Sequence, residues 1–368
     1  MTKILACGPT GCVVTPRLVN PDEPLVFKVF FADDTREATV NRDAELCSHK
    51  IMQEMVDPKH TFTVHMVRDG QMDTDDATDD ATDDATDAND VTDAKDINIE
   101  ALRLHKGKSQ MTTFPYIVYG HAGIDLTHMH FLSNDDVLRF FRMLALMVDG
   151  IARMHRCGFV HRDVKLNNMT YSSRHNRLFL IDFGLAIHVD DIFHNRETYV
   201  MNHAYPYFPP EWQVICDIYA FNEKGLVAMS PEDSLTHCAG SMTSYHVTNS
   251  IFQQNYDAYL RQHEAAMGRI KREHEIADLA SPRSKRVLIN DMFGPWAKSV
   301  DIYGLGISLL TMIEKKQLNL GCDIEQHFMN LLTVMTSFNM YERPTAAEVA
   351  LELRAILCEL KGQEHQRV

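Results

Sequence analysis

Short apolar runs alternate with polar breaks through the first third of the chain, and longer helical patterns follow. Lys3 to Cys7 and Cys12 to Leu18 flank a glycine turn and predict two strands. Pro24 to Phe31, read Pro-Leu-Val-Phe-Lys-Val-Phe-Phe, predicts a third strand. Arg36 to Val56 is mostly helical in pattern, and Thr61 to Val67 and Pro115 to Tyr119 predict two more strands. From Asp135 to Cys157 apolar residues recur at helical spacing. Arg177 to Ile181 predicts a short strand that delivers Asp182, and Asp301 to Leu360 is helical again. The order predicts an α+β protein, β-rich first and mainly helical afterwards.

Composition changes this picture in one place. The 368 residues carry a formal net charge of −15, but residues 69–96 hold twelve Asp and one Lys. Removing that segment leaves the remainder at −4, so the acidity is local. Thr74 to Asp87 repeats Thr-Asp-Asp-Ala three times and ends Thr-Asp. Like charges repel and nothing larger than Ala is available to bury, so residues 69–96 predict a disordered insertion. A solvated loop explains it, and a docking surface for a basic partner is the sharper alternative.

The most apolar segment, Val137 to Ala152, carries Arg139, Arg142 and Asp149, and no run of about 18 apolar residues occurs, so no membrane span is expected. Met1 to Ala6 lacks the longer apolar region of a signal peptide. Eight cysteines, none in a Cys-x-x-Cys pair, predict free thiols and a reducing compartment. Cys7 and Cys12 bracket the glycine turn, where small buried hydrophobes are the expected role and a redox role the alternative.

The densest chemistry is His161-Arg162-Asp163-Val164-Lys165-Leu166-Asn167-Asn168, with Asp182-Phe183-Gly184 beginning fourteen residues after Asn168. Asp163 can accept the proton of an attacking hydroxyl. Lys165 can neutralise charge on a phosphoryl group in flight. Asn168 and Asp182 offer oxygen ligands of the kind Mg²⁺ prefers. This pattern resembles the catalytic core of eukaryotic-type protein kinases, and the Lys two residues after the Asp resembles their Ser/Thr branch.

The resemblance implies a bilobal kinase-like fold, with a β-rich N-lobe over 1–119 and a mainly helical C-lobe over 120–368. ATP would bind between the lobes, with Mg²⁺ on Asn168 and Asp182. Asp163, Lys165 and Asn168 would be catalytic. Ala6, Gly8, Gly11 and Val13 fall on the glycine-loop positions, with Ala6 in place of the first Gly, although a β-turn explains Gly-Pro-Thr-Gly equally well. Lys28, mid-strand among Val26, Phe27, Val29 and Phe30, would contact the α/β-phosphates; a snorkelling surface Lys is the alternative. Its partner would be Glu37, Glu45 or Glu54, with Glu45 best spaced, seventeen residues on. Tyr116 to Gly123 resembles the strand ending in the interlobe hinge. Val118 would then back the adenine pocket and Asp125 would reach the ribose.

Arg162 would order the activation segment, in which Thr198 and Tyr199 are candidate phosphorylation sites. Tyr207-Phe208-Pro209-Pro210-Glu211 resembles the end of that segment, with Pro209 in place of Ala, and Arg343 would pair with Glu211. Asp301 would hold the catalytic loop. Eighty-nine residues separate Glu211 from Asp301, far more than the short bridge the resemblance implies. A long insertion is therefore expected over about 213–300, with a charged amphipathic helix from Asn249 to Leu279. This spacing, the minimal N-terminus and the hinge are similar to protein kinases of large DNA viruses, which implies a cytoplasmic setting, in a host cell or virion.

Protein Ser/Thr hydroxyls are the implied substrates, with autophosphorylation possible and no direct nucleic-acid partner. Two rivals remain. A pseudokinase scaffold would bind partners through its insertions; the missing first glycine and the open choice of partner Glu favour it, and the presence of Lys28, Asp163, Asn168 and Asp182 argues against it. A small-molecule phosphotransferase of the same fold is disfavoured by the Pro-Pro-Glu segment and Arg343.

Overall fold

The computed structural model describes residues 3–7, 10–15, 25–32, 35–73, 111, 113–192, 207–209, 272, 297–318, 320, 322–337, 340 and 342–367. The chain divides into two compact units: Met1–Gly123 with Ile181–Gly184, and Ile124–Leu180 with Leu185–Val368. The first is sheet-rich and the second mainly helical, the α+β arrangement consistent with a protein-kinase fold.

In the first unit, β1 (Lys3–Cys7), β2 (Gly11–Thr15), β3 (Leu25–Phe30), β4 (Met66–Asp73) and β5 (Thr113–Gly120) form an antiparallel sheet in the order β1-β2-β3-β5-β4. Helix α1 (Thr35–Ile51) follows β3 and ends in a π turn, Met52–Val56. Central strands buried on both faces read as near-continuous apolar runs, which is why Val26, Phe27, Val29 and Phe30 are all buried. They pack with Phe114, Ile117 and Val118 in one core.

Three expectations are corrected here. The strand predicted over Thr61 to Val67 lies further on, at Met66–Asp73. The reason is Asp57, whose carboxylate accepts the backbone N–H groups of Thr61, Phe62 and Thr63 at 2.8–2.9 Å and so takes donors that a ladder would need. Residues 69–73, assigned above to the disordered insertion, are instead paired with β5 from Ile117 to Thr113. An edge strand tolerates outward Asp side chains while Met72 is buried. Residues 74–96 lie outside the described residues.

The third correction concerns the cysteines. The β1–β2 register sets Cys7 opposite Cys12, with Cα atoms 4.1 Å apart, and a disulfide joins them. Free thiols are therefore wrong for this pair. Among the described residues Cys47, Cys157 and Cys358 are free.

In the second unit β6 (Ile124–Asp125) precedes α2 (Asn134–Arg156), whose first turn is capped by Ser133 Oγ accepting from Asp136 N. Then come β7 (Phe159–Val160), β8 (Met169–Ser172), β9 (Arg177–Leu180), β10 (Ile187–His188) and the short α3 (Val189–Ile192). Strands β6, β8 and β9 form one small sheet, and β7 pairs with β10. Helices α4 (Ser299–Glu314), α5 (Cys322–Met335) and α6 (Ala346–Arg367) complete the unit. The α2 stripe that sequence periodicity exposes, including Phe140, Phe141, Leu144, Val148 and Ile151, is buried. Gly8, Thr198, Tyr199, Glu211 and the helix expected over Asn249 to Leu279 lie outside the described residues, as does nearly all of the insertion over about 213–300.

Candidate active site

Each unit carries one group of predicted residues. In the first unit, β3 pairing sets Lys28 opposite Val13 on β2 and Ile117 on β5, inside the sheet. Its side chain is 11% exposed, which rules out the snorkelling alternative. The ammonium donates to Glu45 Oε2 at 2.6 Å and to Asp182 Oδ1 at 2.8 Å. Among the three candidate acids the structure thus selects Glu45, which lies buried on α1. Glu45 Oε1 accepts a second hydrogen bond, from Tyr119 Oη at 2.9 Å.

The electrostatics follow from burial and neighbours. Burial by itself would lower the Lys28 pKa, but the Asp182 and Glu45 carboxylates outweigh it and hold the ammonium above the ordinary lysine range. Lys28 therefore remains charged at neutral pH. Burial raises the Glu45 carboxyl, against the opposing pull of Lys28 and Tyr119. Asp182 is 39% exposed and adopts φ 65°, a left-handed conformation unusual for a non-glycine residue.

The remaining first-unit candidates are placed as follows. Ala6 is exposed on β1 and Val13 half-buried on β2. Gly11 is buried on β2, and a Cβ there would meet Val29 O at 2.4 Å. Close strand packing is thus sufficient reason for that glycine, whatever it does for phosphate. Val118 is fully buried in the core.

In the second unit the loop from His161 to Asn168 hangs from Asp301, in the first turn of α4 and 0% exposed. Its Oδ2 accepts from His161 N at 2.9 Å and pairs with His155 Nε2 at 2.8 Å, and its Oδ1 accepts from Arg162 N at 2.7 Å. Burial would raise the Asp301 pKa; the hydrogen bond and charge of His155, with the His161 amide, reverse that and lower it. Arg162 has φ 65°, and its Nε donates to Leu185 O at 2.6 Å. Gly304, one turn after Asp301, is required for the close approach of this loop, because a Cβ would sit 2.7 Å from Val164 O.

Beyond that anchor, Asp163 N donates to His161 Nδ1 at 3.2 Å. Asp163 Oδ2 accepts from Lys165 Nζ at 2.9 Å and from Asn168 Nδ2 at 2.7 Å, and Asn168 Nδ2 also donates to the Asp163 carbonyl at 2.9 Å. Asp163, Lys165 and Asn168 are thereby brought together. Asp125 acts locally: its Oδ1 accepts from Thr127 N at 3.0 Å and from the Thr127 hydroxyl, capping a one-turn 3₁₀ helix. Arg343 Nη1 donates to Ser299 Oγ at 3.0 Å, and its guanidinium lies 5.6 Å from the Tyr303 ring centre.

Sequence reasoning missed Tyr119, His49 and His155. His49, one turn after Glu45, is buried, with Nε2 2.8 Å from Val64 O and its ring edge-on to Tyr119 and Phe183. The available signal was a polar residue on an otherwise apolar helix face for His155 alone; the buried face of α1 holds Glu45 and His49 beside Ala38, and Tyr119 reads as bulk in an apolar strand.

Residues 117–220 match the family model described as protein kinase domain. The chain is 32% identical over 65 residues to a probable serine/threonine-protein kinase, fnkB, of Dictyostelium discoideum, covering 18% of this chain and 12% of that protein. It is 38% identical over 74 residues to a probable serine/threonine-protein kinase, pknA2, of Bifidobacterium longum, covering 20% of this chain and 10% of that one. It is 45% identical over 40 residues to a probable casein kinase I homologue of Encephalitozoon cuniculi, covering 11% and 13%. The matches thus span about an eighth or less of those relatives' lengths. Over residues 117–220 the chain is thus similar to protein kinase domains of the eukaryotic type.

Proposed function

We propose that this chain is a Ser/Thr protein kinase that transfers the γ-phosphate of ATP to protein hydroxyls. The observation that carries the reading is the Asp163 carboxylate held by both Lys165 and Asn168. A carboxylate fixed beside a cation can orient a hydroxyl, accept its proton and leave positive charge next to the phosphoryl group.

The donor set fits a magnesium nucleotide. Asp182 supplies a partly exposed carboxylate and Asn168 an amide oxygen, and Mg²⁺ needs few protein ligands when phosphates complete its shell. Bound there, Mg²⁺ would neutralise charge on the phosphates. Lys28, kept charged by Glu45 and Asp182, would hold the α/β-phosphates. Asp163 would orient the substrate hydroxyl and take its proton. Asp301 would keep the loop backbone in place throughout.

Resemblance to kinases of large DNA viruses, and hence a host-cytoplasm or virion setting, belongs to this proposal. Among the described residues no helix is long and apolar enough to cross a membrane.

The test is radiolabelled γ-phosphate transfer from Mg-ATP to casein, to myelin basic protein and to the protein itself, beside Asp182→Asn. Phosphoserine or phosphothreonine made by the wild type and not by the variant is the expected result. ATP-dependent thermal stabilisation without turnover would replace this reading with that of a partner-binding scaffold.

A further inference from the structure

Tyr119 is the penultimate residue of β5, buried, with its ring centre 5.0 Å from that of His49. Its hydroxyl holds one oxygen of Glu45 while Lys28 holds the other, at 2.9 Å and 2.6 Å. Each carboxylate oxygen therefore has its own donor. A carboxylate held at one oxygen can turn about its last bond; held at both, it is fixed in plane and in reach. Lys28 has a second acid, Asp182, 2.8 Å away. Without a firmly placed Glu45, the ammonium would be left to Asp182, the residue whose carboxylate is needed for metal.

We propose that Tyr119 is a positioning residue for the phosphate-binding lysine, acting by fixing the Glu45 carboxylate through its hydroxyl. This inference rests on the kinase reading above.

Among the described residues, four titratable groups lie around Glu45. Lys28 faces it from β3, Tyr119 from β5 and Asp182 from the 181–184 segment, while His49 lies one turn along its own helix against the Tyr119 ring. Burial and the adjacent Glu45 keep the Tyr119 phenol well above its ordinary pKa, so it donates at all working pH values. His49, buried, is neutral at pH 7 and contributes no charge. Of the two donors that stabilise ionised Glu45, only Tyr119 can be removed while leaving Lys28 intact.

The experiment is Tyr119→Phe, which keeps the ring against His49 and deletes one oxygen. Two readouts separate positioning from packing. Loss of one hydrogen bond to a charged group should lower kcat/KM for ATP about tenfold. The acid limb of the pH–rate profile should also move to higher pH, because Glu45 then protonates more readily. The Glu45 carboxyl, followed by ¹³C NMR, should titrate at higher pH in the variant. An unchanged acid limb and an unchanged Glu45 titration overturn the inference, whatever the change in melting temperature. A wild type that never transfers phosphate sinks the kinase reading and the catalytic part of this inference. The NMR titration then still decides whether Tyr119 governs Glu45.

Discussion

Asp301 Oδ1 accepts the backbone N–H of Arg162 at 2.7 Å, at a residue held at φ 65°. A left-handed arginine costs of order 1–3 kcal/mol and persists only when its surroundings fix it. Here the fixing group is one buried carboxylate that takes two consecutive amides and the ring of His155. The strain points the backbone into Asp163, so stability and chemistry meet at Asp301.

Asp301→Asn should therefore do two things. The amide must aim a donor at a donor, losing at least one of three hydrogen bonds, at a cost of about 2–3 kcal/mol. Phosphate transfer should fall by about 100-fold, while nucleotide affinity through Lys28 should change little. Urea unfolding and calorimetric titration with ATP check the two halves. A variant of wild-type activity would show that the loop does not need its anchor.

Lys28→Met should remove the cation shared by Glu45 and Asp182. Glu45, left buried, would protonate, since burial already raises its pKa and Lys28 is the chief group opposing that. Transfer should fall by about 100-fold or more, with stability changed by about 2 kcal/mol, less than for a fully buried pair because Asp182 is partly exposed. Steady-state kinetics and urea unfolding check this. Retained activity would mean that Lys28 is structural only.

Much of this site was legible because its chemistry is local in sequence. Asp163, Lys165 and Asn168 lie within six residues, so one loop brings them together. Glu45 was the best spaced of three candidate acids, seventeen residues after Lys28, and Asp182 stood in the Asp-Phe-Gly run. The alternation of strands and helices gave the α+β fold, and the α2 stripe gave its core. What stayed hidden was pairing across long separations. Nothing in the pattern marks Tyr119 as a partner of Glu45, 74 residues away, because a Tyr in an apolar strand reads as bulk. The β4 register was missed because a single side chain, Asp57, captured three backbone donors and moved the strand start. Cys7 and Cys12 were visible as neighbours of a turn, but only the antiparallel register sets them opposite each other.

Asp57 carries its own prediction. Burial would raise its pKa, but the Phe62, Thr61 and Thr63 donors outweigh that and lower it. A depressed folded pKa contributes stability that is present above the unfolded carboxylate value of about 3.9 and lost as pH falls through the folded value. Asp57→Asn should cost about 2 kcal/mol at neutral pH, the scale of hydrogen bonds to a charged acceptor. The deficit should shrink in acid, below the unfolded value. Urea midpoints compared at neutral and strongly acidic pH check this; a deficit independent of pH would mean that the carboxylate charge is irrelevant to the turn.

His49 contributes to the sensitivity to mild acid, beside His60 and His121, whose burial lowers their pKa values as well. Burial lowers its pKa to about 4, with the hydrogen bond to Val64 opposing. Unfolding restores the ordinary value near 6.5, so the unfolded chain binds a proton that the folded one refuses. The stability tied to neutral His49 is complete above about pH 6.5 and drains as pH falls toward about 4, by about 3 kcal/mol in all. His49→Leu should remove this slope. The Val64 carbonyl still has a donor in the variant, Gln53 Nε2 at 3.1 Å, so no acceptor is stranded. Melting temperatures of wild type and variant should therefore run apart at neutral pH by the packing change alone and converge, or cross, between pH 6.5 and 4. Parallel curves across that window would show that the ring protonates in place, and that the buried face between Tyr119 and Phe183 admits a charge.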